Sequence, residues 1–369
     1  MSTAPRILIM AGGTGGHVFP ALAVADELRK RGAEISWLGT RKGIEAELVP
    51  QANIEIDYIN IGGLRGKGAL GWLLAPLRIM RALWQSLGVL RRRRPQAVLG
   101  LGGFVSGPGG LAAWVCGCPL LIHEQNAVAG LTNRLLSRLA RQVIQAFPGA
   151  FSEAPWVSTY GNPVRAAIAE LESPEQRYAG REGRLRVLLI GGSLGAQALN
   201  DVLPHALSQI DDEQRPQVRH QTGRAHLEKV RQQYAAAGVE ADVLPFIENM
   251  AEAYAWADLV ICRSGALTVS ELAAAGVASI LIPYPHAVDD HQTRNARFLV
   301  EAGAARLLPQ TALNAAALAD VLREFCLEPE AGRKALMLMA QAARAQGSAE
   351  ATALVAEACL SATARSEKS

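Results

Sequence analysis

The sequence predicts an α/β protein with two doubly wound parallel sheets, one in each of two domains that face each other across a cleft. Three observations predict this fold. A strand, a glycine turn and a helix occur twice, in "RILIMAGGTGGHVFPALAVADEL" from residue 6 and in "RVLLIGGSLGAQALNDVLPHAL" from residue 186. Short apolar runs, typical of strands buried on both faces, alternate with helical segments. The 369 residues, half of them apolar, suffice for two hydrophobic cores.

The first of these units stands at the start of the chain. The apolar run "RILIM" predicts a buried strand, and four glycines between Gly12 and Gly16 predict a tight turn. From Ala21 to Leu28 the apolar residues recur at the spacing of one helix face. Pro20 suits the first turn of that helix, because its missing N–H has no partner to lose there.

Further apolar runs continue the alternation of strands and helices. We expect buried strands in "AVLGLGG" at 97, "LLIHEQN" at 120, "DLVICRSG" at 258 and "SILIPYP" at 279. The stretch 147–165 is rich in Pro, Gly and Ser and is expected to connect the two domains. The segment "SAEATALVAEACLSATA" is expected to form the final amphipathic helix.

The first glycine turn fits neither standard phosphate-binding pattern. A P-loop ends in Gly-Lys-Ser/Thr, whereas this turn ends in Gly16-His17-Val18. Val18 also stands where a dinucleotide-binding turn has its third glycine, and the second turn, "GGSLGA", departs from that pattern as well. The paired sheets would suit a dehydrogenase, a nucleotide-sugar enzyme or a non-catalytic nucleotide-binding module. The missing glycines disfavour the dehydrogenase.

His17 and the segment "HEQN" supply the candidate chemical groups of the first half. A helix N-terminus favours a neutral imidazole, so His17 could accept a proton, although a role in capping the helix would explain it equally. His123, Glu124 and Asn126 follow a predicted strand at its carboxyl end, where ligands of such sheets bind. The alternative for His123 is a buried, hydrogen-bonded histidine.

The segment "CRSGALTVSELAAAG" (262–276) predicts an anion site at a helix N-terminus in the second half. Backbone N–H groups near Ser264 to Thr268 would point at a bound anion, and Glu271 could accept hydrogen bonds from ribose hydroxyls. Thr268 and Glu271 are also spaced as a capping box, which would make both of them purely structural. The residues alone leave both interpretations open.

No metal or cofactor is predicted. The sequence has no Asp-X-Asp pair and no cluster of His and Cys at ligand spacing. Helix N-termini and an arginine would instead stabilise the charge of a leaving nucleotide diphosphate.

Charge is distributed unevenly along the chain. From Tyr58 to His123 there is no Asp or Glu, although the whole chain has a net charge of +3. The same interval has eight basic residues, Arg65, Lys67, Arg78, Arg81 and Arg91, Arg92, Arg93, Arg94. Apolar residues recur at helical spacing between them, at Leu73, Leu77, Met80, Trp84 and Leu87, and Arg134, Arg138 and Arg141 are expected to share a later helix face. An anionic membrane surface is the expected partner, and a core helix with a solvated basic end is the alternative. No recognition motif supports nucleic acid as a partner.

Seven motifs together resemble the MurG family of bacterial peptidoglycan glycosyltransferases, within glycosyltransferase family 28. They are "GGTGGHVFPALAVADEL", "LGLGGFVSGPGGLAAW", "HEQNAVAGLTN", "QAFPGAF", "GNPVR", "GGSLGAQALN" and "AYAWADLVICRSGALTVSELAAAG". The resemblance extends from about residue 6 to the final helix, with the motifs in the family's order. It implies the GT-B architecture, two Rossmann-like domains with a last helix that crosses back to the first. It also implies an inverting transfer of N-acetylglucosamine from UDP-N-acetylglucosamine (UDP-GlcNAc).

The resemblance also implies the roles of individual residues. His17 would take the proton of the acceptor hydroxyl, with Glu124 as the other candidate base. Residues beside the donor sugar and diphosphate would be Thr14, Gly15, Gly16, Asn126, Arg165 and Ser193. The backbone of Ile247 would pair with uracil, and Gln292, or its neighbour His291, would bind the N-acetylglucosamine hydroxyls. The diphosphate and ribose would be lined by Ala266, Leu267, Thr268, Val269, Ser270 and Glu271, with Glu271 on the ribose.

The implied domains are an acceptor and membrane-associating domain over 1–163, a donor domain over 164–343 and a returning helix over 344–364. The implied partners are UDP-GlcNAc, the polyprenyl-linked acceptor lipid I, an anionic membrane surface and other cell-wall synthesis proteins. The implied location is peripheral, on the cytoplasmic face of the bacterial inner membrane. A non-catalytic nucleotide-sugar-binding subunit and a UDP-sugar epimerase of the same architecture are the competing functions.

Overall fold

The computed structural model describes residues 4–62, 74–192 and 195–366. The chain folds as two compact units. The first comprises Met1–Arg165 and Glu350–Ser369, and the second comprises Ala166–Ala349. The units therefore divide after Arg165 and after Ala349, whereas the boundaries that the resemblance implies lie after 163 and 343. The second of those positions falls inside a helix, Pro329–Gln346.

The first unit contains a parallel sheet of seven described strands in the order β3-β2-β1-β4-β5-β6-β7. The chain reverses its direction of progress across the sheet between β1 and β4, and such a point is where ligands of open α/β sheets bind. Ile7, Leu8, Ile9 and Met10 of the central strand are fully buried, as expected where helices cover both faces. The strands are β1 (Arg6–Ala11), β2 (Glu34–Gly39), β3 (Glu55–Tyr58), β4 (Ala97–Gly102), β5 (Leu120–Glu124), β6 (Gln142–Gln145) and β7 (Val157–Thr159).

Two helical layers enclose this sheet. On one face α1 (Gly15–Lys30) packs in a common core with the final helix, whose Val355 and Cys359 are fully buried. The other face is covered by α3 (Ala75–Arg93), α4 (Ser106–Val115) and α5 (Leu131–Leu136). The short α2 (Glu45–Gln51) follows β2.

Three sequence-based expectations for this unit were wrong. The stretch 147–165 is not only a connection, because β7 forms within it and pairs with β6. Pro20 lies in the second turn of α1, since that helix begins at Gly15. Arg138 and Arg141 do not share a helix face with Arg134, because α5 ends at Leu136.

The second unit contains a parallel sheet of six described strands in the order β10-β9-β8-β11-β12-β13. The central part of this order repeats that of the first sheet, with β8 and β11 in the places of β1 and β4. The predicted α/β fold with two parallel sheets is thus confirmed. The strands are β8 (Arg186–Ile190), β9 (Gln217–Gln221), β10 (Asp242–Leu244), β11 (Leu259–Cys262), β12 (Ala278–Leu281) and β13 (Ala305–Leu307).

The helices after α5 follow in chain order. Two short ones, α6 (Ala166–Ala169) and α7 (Pro174–Tyr178), open the second unit. The others of that unit are α8 (Gln197–Leu207), α9 (Leu227–Ala237), α10 (Met250–Trp256), α11 (Ala266–Ala275), α12 (His291–Glu301), α13 (Ala315–Cys326) and α14 (Pro329–Gln346). The final helix, α15 (Ala351–Ser366), belongs to the first unit, where it packs against α1.

Candidate active site

His17 is the third residue of α1 and lies directly after the first glycine turn. Thr14 precedes the helix in an extended conformation, and no described side chain caps it. The half-buried imidazole packs on Gly102 at the end of β4, where a Cβ atom would lie 2.8 Å from Nδ1. Gly102 also has a φ of 107°, so glycine is required there by conformation and by space.

Glu45, a residue that was not predicted, anchors the first glycine turn by hydrogen bonds. Its carboxylate is fully buried and accepts hydrogen bonds from the backbone N–H of Gly13 and of Thr40, both at 2.9 Å. The Thr40 hydroxyl donates a third hydrogen bond at 2.8 Å. A single sequence cannot separate Glu45 from the exposed Glu47, because both stand in the first turn of α2.

Glu124 has a buried carboxylate with both oxygens in use. One oxygen accepts from the backbone and side-chain amides of Asn126, at 3.0 and 3.3 Å. The other accepts from Gly130 N at 3.0 Å and from Asn133 Nδ2 at 2.9 Å. Glu124 therefore ties together the loop that follows β5, and Asn126 is one of the residues that it orients.

His123 and His17 are joined through Gln125, another residue that was not predicted. Gln125 is buried, its Oε1 lies 2.9 Å from His17 Nδ1, and its Nε2 lies 3.2 Å from His123 Nδ1. Burial is the main reason that the pKa of His123 is lowered to about 4. The buried, hydrogen-bonded alternative for His123 is thus the one found in the structure.

The candidate donor residues of the second unit lie at one edge of its sheet. Ile247 follows β10, Ala266 to Glu271 follow β11, and Gln292 follows β12, each after the carboxyl end of its strand. Because these strands are parallel, their carboxyl ends share one edge, which is the ligand-binding edge of such sheets. Ala266 and Val269 are buried, so any contact they make with a ligand would use their backbone.

The capping-box interpretation of Glu271 was wrong. Helix α11 has Gly265 as its N-cap, and Thr268 is already its third residue. Glu271 stands a full turn further in, is buried, and accepts a hydrogen bond from the Tyr254 hydroxyl at 3.1 Å. Just before the helix, the hydroxyl of Ser264 is buried and has no hydrogen-bond partner among the described residues.

The remaining residues that were predicted to bind the donor substrate differ in their contacts. The half-buried Gln292 accepts a hydrogen bond from Tyr284 N at 2.9 Å, which orients its amide; His291, beside it, is also half-buried. Arg165 lies with its guanidinium 5.9 Å from the centre of the Phe19 ring. Ser193 lies outside the described residues. Its neighbour Gly192 is bound through both backbone groups by the buried side chain of Gln221, at 2.9 and 3.1 Å.

The predicted amphipathic stretch forms α3, and three of the apolar residues predicted for its stripe face outward. Leu77, Met80 and Trp84 are 66, 55 and 64% exposed, whereas the core contacts come from Ala82, Val89 and Leu90. Neighbouring helices add Trp114, Val115, Leu131 and Leu135 to the exposed apolar residues. The alternative of an ordinary core helix is therefore wrong for Leu77, Met80 and Trp84, whereas it holds for Leu87, which packs against the core. Leu73, Arg65 and Lys67 lie outside the described residues.

The arginine cluster at the end of α3 is partly neutralised. Arg92 and Arg93 both pair with Asp57, and Arg93 also pairs with Glu55. These acids lie on β3, just before the long interval without acidic residues. The sequence interval alone therefore overstates the charge that the cluster offers to a partner.

Three further observations concern metal binding, membrane-spanning helices and a cavity. Within the described ranges, no group of three or more His, Cys, Asp and Glu side chains is arranged to hold a metal ion. No described helix has the length and apolar character needed to cross a bilayer. A cavity of about 850 Å³ lies at the opposite edge of the second sheet, beside Arg184 and Leu185 before β8. We do not assign a substrate to it, because ligands of such sheets bind at the carboxyl edge.

Both halves of the chain match models of one enzyme family. Residues 7–145 match the glycosyltransferase family 28 N-terminal domain, and residues 186–353 match the glycosyltransferase family 28 C-terminal domain. The chain belongs to glycosyltransferase family 28.

Relatives in family 28 match almost the whole chain. Proteins from Marinobacter nauticus, Alkalilimnicola ehrlichii and Nitrosomonas europaea are 55, 56 and 57% identical over 95–97% of this chain and 97–98% of their own lengths. Each is named UDP-N-acetylglucosamine–N-acetylmuramyl-(pentapeptide) pyrophosphoryl-undecaprenol N-acetylglucosamine transferase.

Two solved structures are similar to this chain, and the first agrees with its membership of family 28. The crystal structure of Acinetobacter baumannii MurG is 42% identical, with a TM-score of 0.83 over 97% of this chain and 99% of that one. A UDP-GlcNAc 2-epimerase from Neisseria meningitidis, bound to UDP-GlcNAc, has a TM-score of 0.65 over 96% of this chain and 100% of that one. At 15% identity the epimerase shows a likeness of fold alone.

Proposed function

We propose that this chain transfers N-acetylglucosamine from UDP-GlcNAc to the 4-hydroxyl of the N-acetylmuramyl unit of undecaprenyl-pyrophosphoryl-MurNAc-pentapeptide (lipid I). The products are lipid II and UDP. The observation that carries the proposal is the end-to-end similarity to relatives named for this activity, at 55–57% identity. The described geometry supports separate roles for the two units.

His17 is the proposed general base. Its imidazole takes the proton of the acceptor hydroxyl while that oxygen attacks the anomeric carbon of the donor sugar. The bond between this carbon and the diphosphate oxygen breaks, and its electron pair leaves with UDP. Attack from the face opposite the diphosphate inverts the anomeric centre and gives a β-1,4 link.

Glu124 is the weaker candidate for the base. Both of its oxygens already accept two hydrogen bonds each, including two from backbone N–H groups. Protonation of that carboxylate would break contacts that order the loop from Asn126 to Asn133. We therefore propose that Glu124 shapes the site and that His17 moves the proton.

The start of α11 is the proposed site for the donor diphosphate. No described side chain caps this helix at Gly265, so its first N–H groups and its dipole are suited to an anion. Stabilisation of the departing UDP by fixed dipoles is worth most when the donors are already in place. The buried Glu271 is the proposed partner of the ribose hydroxyls, Ile247 the proposed partner of uracil and Gln292 that of the sugar.

The first unit is the proposed membrane-docking unit. The exposed apolar residues of α3, α4 and α5 are accompanied by the exposed Arg78, Arg81 and Arg134. Basic side chains around an apolar face suit the interface of an anionic bilayer, and a polyprenyl-linked acceptor resides in a bilayer. The proposed location is thus peripheral, on the cytoplasmic face of the plasma membrane.

Incubation with radiolabelled UDP-GlcNAc and vesicles that contain lipid I tests the function. The proposal predicts a labelled product that extracts with the lipid, together with free UDP in equal amount. Conversion of the labelled sugar to its 2-epimer without lipid labelling would indicate an epimerase. Donor that binds but stays intact would indicate a binding module.

A further inference from the structure

The hydrogen-bond chain from β5 to His17 has a defined direction. At its far end, His123 Nε2 lies 3.0 Å from the carbonyl oxygen of Gly161. A carbonyl oxygen can only accept, so His123 carries its proton on Nε2 and has a lone pair on Nδ1. His123 is fully buried, and this burial lowers its pKa to about 4, so the ring is neutral near pH 7.

The amide of Gln125 fixes which atom donates in the next hydrogen bond, to His17. Its amide nitrogen lies 3.1 Å from the His123 carbonyl oxygen and 3.2 Å from His123 Nδ1. Both atoms are acceptors, so the amide nitrogen faces His123 and the amide oxygen faces His17 at 2.9 Å. An amide oxygen accepts only, and therefore Nδ1 of His17 must donate.

The position of Gln125 is itself fixed. Only 1% of the residue is exposed, and its backbone oxygen accepts a hydrogen bond from Asn162 Nδ2 at 3.0 Å. The imidazole of His17 is confined from the other side by Gly102. Side-chain rotation is thus restricted at both ends of the bond between Gln125 and His17.

We propose that Gln125 is a positioning residue that holds His17 in the tautomer protonated on Nδ1, so that Nε2 is the atom that takes the acceptor proton. This proposal rests on the proposed function, in which His17 is the base. In the step, the acceptor O–H bond breaks and an Nε2–H bond forms. Nδ1 keeps its proton and continues to donate to Gln125 Oε1, and this hydrogen bond stabilises the imidazolium that results. An orienting partner has the same role for the histidine of hydrolase triads.

The test compares Gln125→Leu with a matched control, Gln145→Leu. Gln145 is also a buried glutamine, on the neighbouring strand β6, but its side chain binds Thr159 Oγ1 and Phe151 N. We expect Gln125→Leu to lower kcat by about 10–100-fold, the loss that removal of a hydrogen-bonding partner causes at metal-binding histidines, with an unchanged KM for UDP-GlcNAc. Gln145→Leu is expected to keep the wild-type kcat, and melting temperatures of both variants report any loss of stability.

Nitrogen-15 spectra of the imidazoles provide a readout that does not depend on activity. The wild type should show His17 protonated on Nδ1 near pH 8, and Gln125→Leu should show a mixture of tautomers. Gln125→Glu keeps an acceptor for Nδ1–H but adds a negative charge, which favours the imidazolium. In a plot of kcat against pH, the rising limb of Gln125→Glu should therefore lie at higher pH than that of the wild type. The titratable and charged groups near this chain include His123 and Glu124 of β5, Glu45 under the first glycine turn, and Arg165, which lies against Phe19 of α1.

A Gln125→Leu variant with wild-type kcat and an unchanged His17 tautomer would overturn the proposal. So would a Gln145→Leu variant that loses as much kcat, because the effect would then be general to the fold. If the wild type transfers no sugar to lipid I, the proposed function fails, and the positioning role of Gln125 in that reaction fails with it. If the wild type is active and Gln125→Leu is equally active, only the role of Gln125 fails.

Discussion

Each unit contains a strand, a glycine turn and a helix in the same order, but a charged side chain holds the first turn and a neutral one holds the second. Under the first turn lies the buried carboxylate of Glu45, which binds Gly13 N. Under the second lies the neutral amide of Gln221, which binds both backbone groups of Gly192. In each unit the anchor lies at or after the carboxyl end of the strand beside the one that precedes the turn. Glu45 follows the carboxyl end of β2, and Gln221 is the last residue of β9.

This difference in charge separates the tasks that we propose for the turns. A carboxylate about 6 Å from a negative charge costs about 3 kcal/mol at an effective dielectric constant of about 20. The first turn also has one of its amides, Gly13 N, already bound to that carboxylate. It is therefore better suited to a hydroxyl and a proton acceptor. The second turn follows β8, which pairs with β11, so this turn and the start of α11 lie at the same edge of the sheet. The second turn therefore suits the diphosphate proposed there. Four variants break or sharpen this comparison.

The largest effect is expected for His17→Ala. If the first turn serves proton transfer, loss of the base should lower kcat by about 10²–10⁴-fold, while the affinity for UDP stays near that of the wild type. Steady-state kinetics on lipid I and calorimetric titration with UDP measure the two quantities. His205→Ala is the control, because His205 is an exposed histidine on α8, the helix after the second turn. Turnover of His17→Ala near the wild-type value would remove this residue from the mechanism.

Glu45→Gln tests the charged anchor. The substitution replaces one of the two carboxylate oxygens by an NH₂ group, which can only donate. This group then faces the N–H of Gly13 or of Thr40, and that N–H is left without an acceptor. A buried N–H without a partner costs about 1–3 kcal/mol, and displacement of the turn that carries His17 should lower kcat by up to about 10²-fold. Thermal unfolding and kinetics measure both effects. The exposed Glu47→Gln in the same helix should leave both unchanged, and equal behaviour of the two variants would contradict a role for Glu45.

Gln221→Glu tests the neutral anchor by placing a carboxylate under the second turn. If a diphosphate binds there, the added charge should raise the KM for UDP-GlcNAc by about tenfold or more. The KM for the acceptor should change little. Gln217→Glu, at the exposed start of the same strand, adds the same charge at the opposite edge of the sheet and serves as the control. An unchanged donor KM in Gln221→Glu would mean that the second turn does not contact the diphosphate.

The contrast between the turns was only partly predictable from the sequence. The periodicity of apolar residues and the spacing of glycines predicted both strand-turn-helix units, because local conformation and burial determine those patterns. Glu45, Gln125 and Gln221 were missed, since their roles depend on contacts between residues 29 to 108 positions apart. The capping box failed for a related reason, because the N-cap of α11 is Gly265, three residues before Thr268. Local spacing determined neither the helix start nor the partners of buried polar groups.

The units also differ at their surfaces. The first unit exposes large apolar residues on three neighbouring helices, α3, α4 and α5, whereas those described in the second unit, such as Phe246, Leu327 and Leu338, lie on separate elements. Clustered apolar exposure is characteristic of an interaction surface, and scattered exposure is common on any protein. Membrane docking should therefore depend on the first unit.

Arg81→Gln should produce the smallest effect of the four variants. One arginine near an anionic surface contributes about 1 kcal/mol, so affinity for vesicles of anionic lipid should fall about fivefold. Vesicle co-sedimentation measures this loss, and added salt should abolish the difference from wild type, because salt screens exposed charges. Arg297→Gln, an exposed arginine on α12 of the second unit, is the control and should bind vesicles as the wild type does. Activity of Arg81→Gln should fall on lipid I in vesicles and persist on a short-chain, water-soluble acceptor. Equal losses in both variants, or a loss that salt does not affect, would mean that α3 carries a solvated basic face and that membrane binding occurs elsewhere.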